Sequence, residues 1–183
     1  MTRDQLEHAI RAACDIAGDT ELIVFGSQAI LGSYPDASES LRASIEIDVQ
    51  PKNYPANTDL VDATLGELSL FHSTHGFYIH GVTIDSAIFP AGWSGRTVAV
   101  SHPRGTMGNI GHCLEAHDLA ASKIVANREK DRVFVIALLK EKLIDGDTLL
   151  NRVEELPVDA GRRKAIADWI RIIVAEIEKN QNP

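Results

Sequence analysis

FGSQAILGSYPDASESLRASIEIDVQ, residues 25–50, is the stretch that decides how this chain folds. Its last part, Ile45-Glu46-Ile47-Asp48-Val49, alternates apolar and acidic residues. Successive side chains on a strand point to opposite faces, so Glu46 and Asp48 share one face while Ile45, Ile47 and Val49 turn to the core. Its first part completes the short apolar run ELIVF (21–25), which reads as a buried strand between turn residues. That strand runs into Gly26-Ser27 and a helical QAILGSY. The stretch 32–44, rich in Ser, Gly, Pro and Asp, is a connecting loop.

Working outward, Thr2 with Gln5 forms a capping box that predicts a helix over 3–17, ended by Gly18-Asp19. Asn57 caps a helix expected over 58–71. Strands are expected at 77–80 and 82–88, joined near Gly81, with a short one at 97–100. Gly and Pro accumulate over 102–111, which marks a loop between two lobes. Everything beyond reads as helix: 114–128, 131–143, 148–156 and 159–179. A doubly wound sheet would keep alternating strand and helix to its end. The expectation is therefore an α+β protein, with a mixed-sheet core over 1–111 followed by a C-terminal helical bundle over 112–183.

The bulk properties narrow the classes. A chain of 183 residues with 44% hydrophobic side chains can bury a core of its own. A net charge of −8 argues against a broad surface for coating nucleic acid. Basic residues do cluster at Lys123, Arg128, Lys130 and Arg132, and again at Arg162, Arg163 and Lys164, a pattern common on solvated helix faces. No apolar run approaches the ~20 residues of a membrane helix, and MTRDQLEHAI lacks the apolar stretch of a signal peptide. The expectation is a cytoplasmic protein without a membrane partner. Cys14 and Cys113 read as reduced thiols inside helix-like stretches. His72, His75, His80, His112 and His117 match no standard zinc spacing. Gly105, Gly108 and Gly111 match neither the dinucleotide nor the P-loop pattern.

The chemistry concentrates in residues 25–50. A strand running into Gly-Ser at a helix start offers backbone N–H groups to an anion, with Gly26 permitting close approach and Ser27 adding a hydroxyl. Carboxylates side by side on one face, as Glu46 and Asp48 are, repel unless a cation bridges them. Mg²⁺, a hard ion that favours carboxylate and phosphate oxygens, is the expected partner, with Mn²⁺ as its substitute. Asp85, in Val82-Thr83-Ile84-Asp85-Ser86, would complete an acidic triad if its strand paired beside 45–49.

The ordered set Gly26-Ser27, Arg42-x-Ser44-x-Glu46-Ile47-Asp48, then Asp118-Leu119-Ala120-Ala121-Ser122-Lys123-Ile124 with Arg128 and Lys130-Asp131, resembles a known signature. It is similar to the polymerase-beta-type nucleotidyltransferase superfamily, and more narrowly to the AbiEii-type nucleotidyltransferase-like toxins of toxin–antitoxin and phage-defence systems. The likeness spans roughly residues 20–140. Glu46 stands where the family usually has Asp, and the separation from Gly-Ser to Glu46 is longer than usual. The resemblance implies a nucleotidyltransferase core using a nucleoside triphosphate with Mg²⁺ or Mn²⁺, an RNA or protein acceptor, and a cognate antitoxin. It implies that Gly26 and Ser27 hold the triphosphate and that Glu46 and Asp48 bind metal; Asp85 joins the metal and catalytic candidates on the strand reading above. Lys123 would neutralise phosphate charge from a side chain pointing away from the core, with Asp131 close to it. Asp131 also reads as the cap of its helix, before Val133-Phe134-Val135. The alternative is a domain of the same fold that binds nucleotide or a partner protein without turnover.

Overall fold

The computed structural model describes residues 1–181. Helix α1 (Arg3–Ala17) opens with the expected capping box: the Thr2 hydroxyl accepts from the Gln5 amide at 3.2 Å, and the Gln5 side chain accepts from the Thr2 amide at 2.9 Å. Its buried residues, Leu6, Ala9, Ile10, Ala13, Cys14 and Ala17, recur at the spacing of one helical face. Gly18, left-handed at φ 64°, ends it. Then follow strand β1 (Glu21–Phe25), a 3-10 turn (Ser27–Ala29) and the single turn α2 (Ile30–Ser33). Strand β2 (Glu46–Pro51), α3 (Thr58–Leu65), α4 (Leu70–His75) and β3 (Tyr78–Gly81) come next, and β4 (Val98–Val100) and β5 (Ile110–Cys113) complete the sheet. Four helices close the described chain: α5 (Ala116–Ala126), α6 (Glu129–Lys140), α7 (Gly146–Glu154) and α8 (Ala160–Gln181).

The five strands form one mixed sheet in the order β3-β2-β1-β5-β4. β1 runs antiparallel to β2 and parallel to β5, β2 runs parallel to β3, and β4 runs antiparallel to β5. The protein is thus α+β, as its pattern implied. Leu22, Val24, Ile47, Val49 and Ile79 are fully buried on one face of the sheet, and α1 and α3 pack against these strands. By strand alternation and register, the opposite face presents Glu21, Ile23, Glu46, Asp48, Gln50, Tyr78, His80 and His112. Ile45 departs from expectation. It lies just before β2 at 49% exposure and does not join the core.

Three further departures have physical reasons. The 82–88 strand does not form. Pairing ends when the Val82 amide donates to the Val49 carbonyl, after which the buried Gln50 side chain accepts from the Ile84 amide at 2.8 Å and draws the chain into a 3-10 turn (Ile84–Ser86). Helix 58–71 is broken into α3 and α4: Gly66 leaves the helix in extended backbone at ψ −171° while its amide still donates to the Asp62 carbonyl, and Ser69 starts a new helix by accepting from the His72 amide. Residues 110–113, read as loop and helix start, are a central strand. Gly111 reflects close packing: a Cβ there would lie 2.4 Å from Ile10 Cδ1 on α1.

The chain divides into two compact units. One comprises Met1–Ser86 and Arg96–Glu115, and the other comprises Ala87–Gly95 and the helices from Ala116 onward. The division expected after residue 111 falls after 115, because β5 belongs to the sheet, and the excursion 87–95 joins the helical unit. In that unit α5 packs on α6 and α7, and α8 on α6 and α7. Cys14 and Cys113 are free and buried, Cys113 on β5 and not in a helix. Burial first, and for Cys14 also the charges of Asp19, Asp15 and Glu21, pushes each thiol up to about 12, far from a catalytic thiolate. Among the described residues, no helix is long and apolar enough to cross a membrane.

Candidate metal centre

Glu46 and Asp48 stand two residues apart on β2, and β3 runs parallel beside it with Tyr78 opposite Glu46 and His80 opposite Asp48. Glu46, Asp48 and His80 therefore emerge on the same face. His80 Nδ1 lies 3.1 Å from Glu46 Oε1 and 2.9 Å from Asp48 Oδ1. One donor atom from each of the three residues lies within 4.8 Å of the others. These side chains are half-buried: reachable from solvent, yet held by the sheet.

The register also brings Gly26 into the site. Phe25 pairs with Asp48, so the next residue meets the Asp48 side chain. A Cβ on Gly26 would lie 1.8 Å from Asp48 Oδ2 and 2.8 Å from its Cγ. Gly26 adopts φ 68° and ψ −172°, a backbone region essentially reserved for glycine. The Gly-Ser step thus does something that the sequence pattern did not disclose: it makes room for a carboxylate. Ser27 follows directly, in the 3-10 turn that packs against β2. That turn and the one-turn α2 are too short to add a helix dipole, so any anion binding here rests on the turn's own N–H groups and the Ser27 hydroxyl. Gln28, in the same turn, is fully buried with neither its amide nitrogen nor its amide oxygen hydrogen-bonded.

The donor set fits a divalent cation. Ligand bonds of about 2.1 Å at right angles separate adjacent donors by about 3.0 Å, and the two measured His80–carboxylate separations are close to that value. Burial works against protonating His80, but the Asp48 hydrogen bond and the charges of Asp48, Glu46 and Asp62 prevail and raise its pKa. The same fields that favour a proton on His80 favour a metal ion among the three groups.

Asp85 is not part of this cluster. It lies exposed in the Ile84–Ser86 turn, because Gln50 diverts the chain before a strand can extend alongside β2. The third position is taken by His80. Its signal was the alternation Tyr78-x-His80, masked because a lone histidine matches no metal spacing by itself. Arg42 and Ser44 also have local duties. Arg42 Nε donates to the Ala37 carbonyl at 2.5 Å, closing the connecting loop, and the Ser44 hydroxyl accepts from the Glu46 amide at 3.2 Å, setting the start of β2.

In the helical unit, Lys123 and Asp131 do come together: Nζ donates to Oδ1 at 3.2 Å, while Arg128 Nε donates to Oδ2 at 2.7 Å. Asp131 is fully buried and is not the cap of α6, a position held by Arg128. Burial would raise the Asp131 pKa, but Arg128 and Lys123 outweigh it and hold the carboxyl low. Lys123 does not point away from the core. It is 9% exposed, and its ammonium lies 5.0 Å from the centre of the Phe134 ring. Asp118, earlier on α5, is likewise buried and lies 3.1 Å from Arg152 of α7. The second basic cluster is partly engaged too, with Arg162 donating to the Val125 carbonyl and Arg163 to the Leu156 carbonyl.

Comparison with family models, with curated proteins and with solved structures finds no match to this chain.

Proposed function

We propose that this chain is a metal-dependent nucleotidyltransferase, moving a nucleotidyl group from a nucleoside triphosphate to a hydroxyl or phosphate acceptor on RNA or protein. The observation that supports it best is the convergence of Glu46, Asp48 and His80 on one sheet face, with the Asp48 carboxylate seated against the Gly26-Ser27 turn. A divalent ion, Mg²⁺ or Mn²⁺, held by Glu46 and Asp48 supplies charge neutralisation for the triphosphate. Gly26 lets the backbone approach the phosphates, and Ser27 donates its hydroxyl to a phosphate oxygen. The acceptor oxygen bonds to the α-phosphorus as the bond to the bridging oxygen breaks. Pyrophosphate leaves with that electron pair, and the acceptor proton passes to water. The protein's share is positioning and electrostatics. In this reading the α+β unit is a nucleotidyltransferase core, and the protein acts in the cytoplasm as the toxin-like member of a toxin–antitoxin or phage-defence pair. A role for Lys123 in neutralising phosphate charge, with Asp131 close to it, rests on the resemblance alone.

The second reading is a nucleotide- or partner-binding module without turnover. It is favoured by His80 standing where a third carboxylate was expected, and by Lys123 being committed to Asp131.

The test is transfer of label from α-³²P nucleoside triphosphates to RNA and protein acceptors with Mg²⁺ or Mn²⁺, alongside thermal melts. Label transfer by wild type that is lost in Asp48→Asn supports the enzyme. Stabilisation by triphosphate without transfer supports the binding module. Neither effect at millimolar triphosphate defeats the enzyme and the nucleotide-binding form of the second reading.

A further inference from the structure

Two carboxylates alone favour hard ions such as Mg²⁺, whereas imidazole favours first-row transition metals. Here an imidazole nitrogen stands at 2.9 Å and 3.1 Å from one oxygen of each carboxylate, and it is presented by a strand that hydrogen bonding fixes in register with β2. We propose that His80 is a third, nitrogen ligand of the site and that it tunes the centre to a first-row transition ion, with Mn²⁺ favoured over Mg²⁺. This rests on reading Glu46 and Asp48 as cation-binding and goes beyond it by assigning the ligand that selects the ion.

Two features carry the inference. The donor set is mixed, two oxygens and one nitrogen, on two neighbouring strands. Nδ1 is the ring nitrogen turned to both carboxylates, so the same atom that bridges them is the one available to coordinate. Glu46 fits the same picture. Its extra methylene relative to Asp gives its carboxylate the reach to adjust to an ion shared with His80.

The test uses the full chain, stripped of metal, with the ions alone as probes. Calorimetric titration of wild type should give tighter binding of Mn²⁺ than of Mg²⁺. In His80→Asp, the ratio of the two affinities should fall by about tenfold or more as the nitrogen is replaced by oxygen. His80→Asn serves as the second variant in case a third carboxylate repels the first two and impairs folding. Pulsed electron paramagnetic resonance of Mn²⁺-loaded wild type should show coupling to a directly bound nitrogen, lost in both variants. Absence of that coupling in wild type, an unchanged Mn²⁺/Mg²⁺ ratio in the variants, or no binding of either ion at millimolar concentration overturns the proposal. Because no triphosphate or acceptor is present, the outcome is separate from the transferase reading. Nitrogen-coupled Mn²⁺ without label transfer keeps this inference and removes that one, and Mg²⁺-supported transfer indifferent to residue 80 does the reverse.

Discussion

Replacing Gly26 by alanine should damage stability and metal binding together. The backbone there, at φ 68° and ψ −172°, lies where only glycine is comfortable, and holding another residue in such a region costs about 1–3 kcal/mol. The added methyl group would also sit 1.8 Å from Asp48 Oδ2, far inside van der Waals contact. Relief requires the carboxylate to swing by more than an ångström, and an off-rotamer side chain adds of order 0.5–1.5 kcal/mol. The two terms together predict a loss of about 2–4 kcal/mol, within the range of mutations that act through special backbone conformations. Since Asp48 is held between Gly26 and His80, the swing also pulls Oδ1 away from His80 Nδ1. Urea denaturation followed by circular dichroism measures the first effect, and Mn²⁺ titration of folded protein measures the second. A Gly26→Ala protein within about 0.5 kcal/mol of wild type, the ordinary scale for an inert surface change, with undiminished Mn²⁺ affinity would refute the reading of Gly26 as the seat of the Asp48 carboxylate.

Lys123→Ala should destabilise the helical unit, because it strips a partner from the fully buried Asp131. Breaking a buried pair costs about 3–5 kcal/mol, and Arg128 remains to offset part of it, so a loss of roughly 2–4 kcal/mol is expected. A double-mutant cycle with Asp131→Ala should then show strong coupling. Asp85→Asn, in its exposed turn, should leave metal affinity unchanged by calorimetry. Asp19 accepts from the backbone amides of Thr20, Glu21, Asn53 and Tyr54 and from the Asn53 side chain. Burial opposes its ionisation, yet these bonds prevail and depress its pKa. A depressed carboxylate contributes stability that is complete above its unfolded pKa of about 3.9 and is lost as pH falls through the lower folded value. Asp19→Ala should therefore lose more stability against wild type at pH 7 than at pH 2–3, as read from denaturation curves at each pH.

Much of this architecture was legible because it is governed by local periodicity. The box of Thr2 and Gln5 and the stripe from Leu6 to Ala17 specify α1 within a single turn-by-turn pattern, and the alternation of residues 45–49 placed Glu46 and Asp48 on one face before any partner strand was known. These are properties of the chain's own geometry, a period of 3.6 or of 2, and they hold wherever the segment packs.

What the tertiary structure alone decided depends on residues far apart. Residues 110–113 look like loop until β1 lies alongside them and Ile10 presses on Gly111. Asp85 looks like a strand carboxylate until the side chain of Gln50, 34 residues earlier in the chain, takes the Ile84 amide and turns the backbone. His80 looks incidental until the register of β3 on β2 sets it against two carboxylates. Each case turns on a hydrogen bond or close contact between distant segments. Such a contact is fixed by the summed packing of the whole unit, and no local pattern in the sequence encodes it.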